Sequence, residues 1–190
     1  MKAGYADSFL KIYHETLEPE FCEQVIEKFC QDDRKIPGEL GAGRFQRIDI
    51  SHKRSTDLNI SPFEDWKEYD SVFYDCLHEY LNFYTQDVPE FNFEELDDTG
   101  YQIQETLPGP VGYKWHDDQV NGGRRVLTFI WYLNDVEEEG WTEFCDGTRV
   151  KPETGKLIFF PATWTFRHMG HPPKNGAKYI VTGWVHNARK

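Results

Sequence analysis

The chain has 190 residues, 38% hydrophobic and 16% aromatic, with a net charge of −12. That length and composition fit one domain with a buried core and exclude a disordered chain. The acidic balance excludes broad binding to nucleic acid or to an anionic membrane, because phosphate contacts need a cationic face, and it leaves room for a neutral or basic substrate.

The opening residues, Met1 to Asp7, lack the apolar stretch of a secretion signal, and the longest apolar run, 126–133, is too short to span a bilayer. A cytoplasmic protein with no membrane partner is expected. Phe21, Cys22, Val25, Ile26, Phe29 and Cys30 recur at helical spacing, which predicts an amphipathic helix over 18–31. A loop over 38–43 and a strand near 45–50 follow. Ser61-Pro62-Phe63-Glu64 reads as a capping box with proline in the first helical position. It opens a longer helix carrying Trp66, Tyr69, Phe73, Leu77, Tyr80 and Tyr84 on one side.

From about residue 99 the pattern changes. Short β-rich runs at 101–105, 113–118, 125–133, 142–144, 149–151, 156–160, 165–169 and 178–185 are separated by turns rich in Gly, Pro and Asp. So many closely spaced strands predict a sandwich or barrel. The expected fold class is α+β and mainly β, one domain over 1–190. Residues 1–98 form a helical support packed against a jelly-roll core over 99–190. Cys22, Cys30, Cys76 and Cys145 make no Cys-x-x-Cys pair. Cys22 and Cys30 would lie roughly 12 Å apart on one helix, too far for a disulfide, so reduced thiols are expected. Asp97-Asp98 and Glu137-Glu138-Glu139 read as solvated loop charges.

The chemistry is concentrated in Gly112-Tyr113-Lys114-Trp115-His116-Asp117-Asp118 and in His168 and Lys178. On a strand, residues i and i+2 share a face, so His116 and Asp118 can meet one metal while Asp117 points away. With His168 they make two imidazoles and one carboxylate, a set that leaves coordination positions open and suits non-haem Fe(II). No thiolate takes part, which argues against a structural zinc site. His171 competes for the third ligand, but it lies only seven residues before Lys178 and next to Pro172-Pro173, in a predicted loop. His168 is therefore the expected ligand. His14, His52, His78 and His186 have no ligand spacing.

In order along the chain, Gly-Tyr-x-x-His-x-Asp at 112–118, Trp131-Tyr132-Leu133-Asn134, Phe160-Pro161, His168 and Lys178 through Trp184 resemble the Fe(II)/2-oxoglutarate-dependent dioxygenases, in the prolyl 4-hydroxylase-like branch. The resemblance covers about 99–186 well and the N-terminal half loosely. It implies a double-stranded β-helix with His116, Asp118 and His168 as iron ligands. It also implies that Lys178 pairs with the distal carboxylate of 2-oxoglutarate, that Tyr132 hydrogen-bonds the same group, and that Tyr113 and Trp184 line the pocket near the iron. The implied cofactors are Fe(II), 2-oxoglutarate and O₂, with ascorbate as an optional reductant.

The implied reaction is hydroxylation, first of a peptidyl proline, with release of succinate and CO₂. Alternatives are hydroxylation of another side chain or a small metabolite, and a non-catalytic metal-binding jelly-roll module. The expected partner is accordingly a peptide, protein or small-molecule substrate. Two positions depart from the family pattern. Leu107 stands where several relatives have tyrosine, and Glu139-Gly140-Trp141-Thr142 stands where relatives often read Gly-Gly-Glu-Thr.

Overall fold

The computed structural model describes residues 9–41, 46–92, 95–119 and 124–188. In chain order the elements are β1 (Lys11–Tyr13), α1 (Pro19–Gln31), β2 (Ile36–Pro37), β3 (Glu39–Leu40), β4 (Arg47–Ile48), β5 (Thr56–Asn59), α2 (Lys67–Asp87), β6 (Leu96–Asp98), β7 (Gln102–Thr106), β8 (Tyr113–His116), β9 (Arg125–Tyr132), β10 (Thr142–Phe144), β11 (Arg149–Val150), β12 (Lys156–Pro161), β13 (His168–Gly170) and β14 (Lys178–Asn187). The larger antiparallel sheet runs β1-β12-β9-β14-β7-β5-β2, with β6 paired to the far end of β14. The smaller runs β11-β10-β13-β8, and β3 pairs β4 on its own.

The central strands of the large sheet are buried on both faces, and their alternation decides what each face meets. Phe129 and Trp131 of β9, Leu157 and Phe159 of β12 and Val181 of β14 join one core with Cys22, Val25 and Phe29 of α1 and Phe73, Leu77 and Leu81 of α2. The opposite residues Ile130 and Tyr132 of β9 and Ile158 and Phe160 of β12 pack against Phe144 of β10 and Val150 of β11. One face thus lies under helices and the other under the smaller sheet. This explains why β9 reads as a continuous apolar run rather than an alternating one.

Both helices follow from sequence. In α1, Pro19 stands in the first turn with Glu20, and Lys28 stands in the last, each charge complementing the helix dipole. Its buried Cys22, Val25 and Phe29 recur along one face. In α2 the buried Phe73, Cys76, Leu77, Leu81 and Tyr84 do the same. The ring of Phe73 stacks on Tyr101 (5.5 Å between centroids) and meets Trp131 (5.4 Å).

Several expectations are corrected. Ser61 does not cap a helix: its Oγ accepts the backbone N–H of Tyr101 (2.9 Å), tying the chain to the start of β7. Helix α2 is entered instead through a 3₁₀ turn, Glu64–Trp66, whose N-cap residue is Phe63 with no side-chain cap. Asp97 and Asp98 belong to β6 rather than a loop, and Asp98 Oδ1 accepts the N–H of Gly100. Of the run 165–169, the first part is a 3₁₀ turn, Trp164–Phe166, and β13 begins at His168. The strand near 45–50 reduces to β4, with Phe45 outside the described residues. The four cysteines are free thiols, with Cys22 and Cys76 buried and Cys30 and Cys145 exposed.

Candidate active site

Strands β8 and β13 pair so that His116 stands opposite His168, with ring centroids 4.2 Å apart. Gly112 lets β8 come this close, since a Cβ there would stand 2.2 Å from the carbonyl oxygen of Gly170. Asp118 lies two residues beyond the end of β8. Strand alternation therefore does not place it. Its carboxylate is instead anchored to the large sheet, where Thr128 Oγ1 of β9 donates to Oδ2 (2.8 Å). Arg125 Nη1 also donates to the Asp118 carbonyl (3.3 Å). His116 Nε2 lies 4.0 Å from Asp118 Oδ1, and His168 Nε2 lies 3.8 Å from Oδ2.

One ligand atom from each of the three residues falls within 4.8 Å of the others. Each imidazole faces a backbone carbonyl through Nδ1, that of Lys114 for His116 (2.7 Å) and that of Phe166 for His168 (3.0 Å). Protons on Nδ1 leave both Nε2 lone pairs directed at the shared point. Burial, then the nearby His168, pushes the His116 imidazolium well below the ordinary histidine range, so the ring is neutral, as a ligand must be. Burial alone would raise Asp118, but His168 and His116 hold it below the usual carboxylate range, as an anion. Two imidazoles and one carboxylate, buried and without a thiolate, fit a divalent cation of the Fe(II) type.

Lys178, the first residue of β14, lines the same cavity and is 4% exposed. Its Nζ donates to the carbonyls of Gly140 (2.9 Å) and His171 (2.7 Å), and no carboxylate pairs with it among the described residues. Desolvation alone pulls this ammonium down to about 7. The ammonium thus keeps one N–H beyond its two carbonyl partners, with no counter-charge among the described residues.

The cavity lies between the sheets. Beyond the expected residues it is lined by Gln104 and Thr106 of β7, Thr128 and Ile130 of β9, Thr142 of β10 and Ile180 and Thr182 of β14. Reading every second residue from Lys178 along β14 gives Ile180, Thr182 and Trp184, so period two could have found that wall.

The other expected positions divide. Tyr113 lines the cavity and stacks its ring on His116 at 3.5 Å and 13°. Trp184 lines it too, with the Arg125 guanidinium 3.3 Å from its ring centre. Tyr132 is not among the lining residues. Its buried hydroxyl donates to Thr142 Oγ1 (2.7 Å), and Thr142 lines the cavity. Leu107 is 56% exposed, and the preceding Thr106 faces the cavity in its place. His171 is engaged by Glu143 (2.6 Å) and stands apart from the three ligand atoms.

A second cavity of about 340 Å³ adjoins the first, sharing Gln104, Tyr113, Asp118 and Trp184. Its walls include Arg125, Asp117 and a buried ion pair, Lys53 Nζ to Asp57 Oδ2 at 2.6 Å. Lys53 also lies 5.2 Å from the Tyr113 ring centre. Nothing in the spacing of 46–57 singles out that pair. It reaches the site because the segment around Lys53 bridges to Tyr113, with Lys114 N–H donating to the His52 carbonyl.

The sequence profile of the 2OG-Fe(II) oxygenase superfamily matches residues 101–186, which include all three ligand candidates and Lys178. The Arabidopsis thaliana protein named "Probable prolyl 4-hydroxylase 3" is 25% identical over 92% of this chain and 68% of its own length. A prolyl hydroxylase of Trichoplax adhaerens, solved with a peptide fragment of the hypoxia-inducible factor oxygen degradation domain, superposes with a TM-score of 0.77 at 17% identity, over 95% of this chain and 84% of its own. A viral collagen prolyl hydroxylase from Paramecium bursaria Chlorella virus 1, in its 2OG complex, superposes with a TM-score of 0.68 at 20% identity, over 98% of this chain and all of its own. These two likenesses establish the fold. Together with the matching profile and the relatives, they make the chain similar to the 2OG-Fe(II) oxygenases, and the named relatives and neighbours are prolyl hydroxylases.

Proposed function

We propose that the protein is a 2-oxoglutarate- and O₂-dependent hydroxylase of a peptidyl proline. The observation that carries this reading is one cavity with a His-Asp-His set and a buried lysine that has no counter-ion among the described residues. In this reading His116, Asp118 and His168 hold Fe(II), and Lys178 receives the distal carboxylate of 2-oxoglutarate. Bound Fe(II) with 2-oxoglutarate and O₂ supplies the oxidising chemistry, which yields succinate and CO₂ and puts one oxygen atom on the substrate.

The chain's own residues do the positioning. Thr128 holds the Asp118 carboxylate in place, and the Lys114 and Phe166 carbonyls fix the imidazole tautomers. Thr142, backed by Tyr132, and Thr106 offer hydroxyls along the wall beside Lys178. A charge-assisted bond from Lys178 in this dry pocket is strong and directional. The adjoining cavity, walled by Tyr113, Arg125 and Trp184, is where a peptide would lie against the metal. The relatives and neighbours named for proline hydroxylation favour proline as the substrate residue, and a neighbour solved with a peptide favours a peptide.

The same reading takes the two sheets as the halves of a double-stranded β-helix and the chain as one catalytic domain, with 1–98 supporting 99–190. Ascorbate as a reductant and a cytoplasmic setting belong to the proposal as well. Incubating the Fe(II)-loaded protein with proline-containing peptides, 2-oxoglutarate and O₂ tests it. Equimolar succinate and a peptide heavier by one oxygen atom at proline are expected. Succinate release coupled only to free metabolites, with no peptide modified, would overturn the substrate assignment.

A further inference from the structure

Lys178 is held by two carbonyls that both come from outside its own sheet. Gly140 precedes β10 and His171 follows β13, and the two segments lie side by side. The His171 N–H donates to the Trp141 carbonyl (2.9 Å) and the Gly140 N–H to that of Pro172 (3.1 Å). Gly140 adopts φ +72°, and a Cβ there would stand 2.8 Å from Val136 Cγ1, so this turn favours glycine.

The side chains of the same segments gather into a cluster. His171 Nε2 and Glu143 Oε2 are 2.6 Å apart, and Arg149 Nη2 donates to Glu143 Oε1 at 3.2 Å. The Trp141 indole touches two of these residues, with its ring centre 5.1 Å from that of His171 and 4.9 Å from the Arg149 guanidinium. Trp141 is also a residue at which this chain departs from the family's Gly-Gly-Glu-Thr pattern.

We propose that Trp141, Glu143, Arg149 and His171 form a latch that positions Lys178 for its anion. The proposal rests on the reading of Lys178 as the anchor for the 2-oxoglutarate carboxylate. An ammonium has three N–H groups on a flexible four-carbon stem. Here two are spent on the Gly140 and His171 carbonyls, so the position of those carbonyls sets the direction of the third. The latch fixes both carbonyls, because it ties the residue after Gly140 to His171 itself. If it opens, the segments can part and the third N–H loses its aim, and hydrogen bonds weaken steeply with misalignment. The four side chains act through Lys178 and are positioning residues.

The test is a calorimetric titration of 2-oxoglutarate into the Mn(II)-loaded protein, with Mn(II) affinity measured on each variant. Trp141→Ala should weaken 2-oxoglutarate binding roughly tenfold, equivalent to about 1.4 kcal/mol, while Trp141→Phe, which keeps an aromatic ring, should stay within roughly twofold of wild type. Glu143→Gln, which keeps the shape and removes the charge, should fall between them. Mn(II) affinity should not change. In turnover the half-saturating 2-oxoglutarate concentration should rise while the rate at saturation holds.

If Lys178→Ala weakens binding but Trp141→Ala and Glu143→Gln titrate like wild type, the latch is overturned and the anchor stands. If Lys178→Ala itself titrates like wild type, both fall. Should Trp141→Ala fail to fold, the near-isosteric Glu143→Gln carries the test, and unchanged 2-oxoglutarate affinity in it overturns the proposal.

Discussion

Asp117 and Asp118 are adjacent carboxylates with different surroundings. Asp118 is buried, receives the Thr128 hydroxyl and lies about equally far from both imidazoles. Asp117 accepts the Gln119 N–H and lines the outer cavity. Asp118→Ala should abolish Fe(II) binding and turnover, while Asp117→Ala should leave Fe(II) affinity close to wild type. Equal loss of iron affinity in the two variants, measured by metal titration without O₂, would contradict the assignment. Lys178 gives a pH prediction. Burial pulls its ammonium down to about 7, and the charged form is the one that binds a carboxylate. Affinity for 2-oxoglutarate should therefore be near its maximum below pH 7 and fall as pH rises, by up to roughly tenfold per unit well above 7. Titrations at a series of pH values check this, and a flat profile in wild type would mean that Lys178 does not take up a proton with the ligand.

At the scale of elements, legibility in the sequence follows pattern strength. Strands β9, β10, β12 and β14 are readable because apolar and β-branched residues crowd between turn residues, and α1 is readable because Cys22, Val25 and Phe29 repeat on one face. The segment between α1 and α2 is not. Strands β2, β3 and β4 have two residues each, too few for alternation to show. Within this region Lys53 is placed by a bridge to Tyr113 of β8, and Asp57 by the pairing of β5 with β7.

The gathering of His116, Asp118 and His168 was legible from spacing, although Asp118 is held there by Thr128 rather than as part of a strand. Tyr132, expected at the cavity, lies one contact back from it, bonded to the lining residue Thr142. The Ser61 motif misleads because its oxygen accepts a bond from Tyr101, just before β7, instead of from a helix. The packing of α2 on the large sheet yields a stability prediction. Phe73 is fully buried between Tyr101 and Trp131, so Phe73→Ala should cost about 3–5 kcal/mol in a urea unfolding experiment. A loss below about 1 kcal/mol would mean that the helix is not seated there.

Across the whole molecule, the two sheets divide the labour. The smaller sheet carries both imidazoles on β13 and β8, and the larger one carries Lys178 on β14 and the Thr128 support for Asp118 on β9. His116, Asp118, His168 and Lys178 therefore face one space only while the sheets stay packed through Ile130, Ile158, Phe160 and Phe144. Among the described residues no helix is long and apolar enough to cross a membrane. In the proposed function one cavity holds Fe(II) on His116, Asp118 and His168 and 2-oxoglutarate on Lys178. The most direct measurement is visible absorbance during an O₂-free titration, first with Fe(II) and then with 2-oxoglutarate. Wild type should bind one Fe(II) and develop a metal-to-ligand charge-transfer band on adding 2-oxoglutarate. His168→Ala should show no band, and His171→Ala should retain it. A band that survives in His168→Ala and disappears in His171→Ala, or wild type that shows no band with Fe(II) bound, would contradict the account.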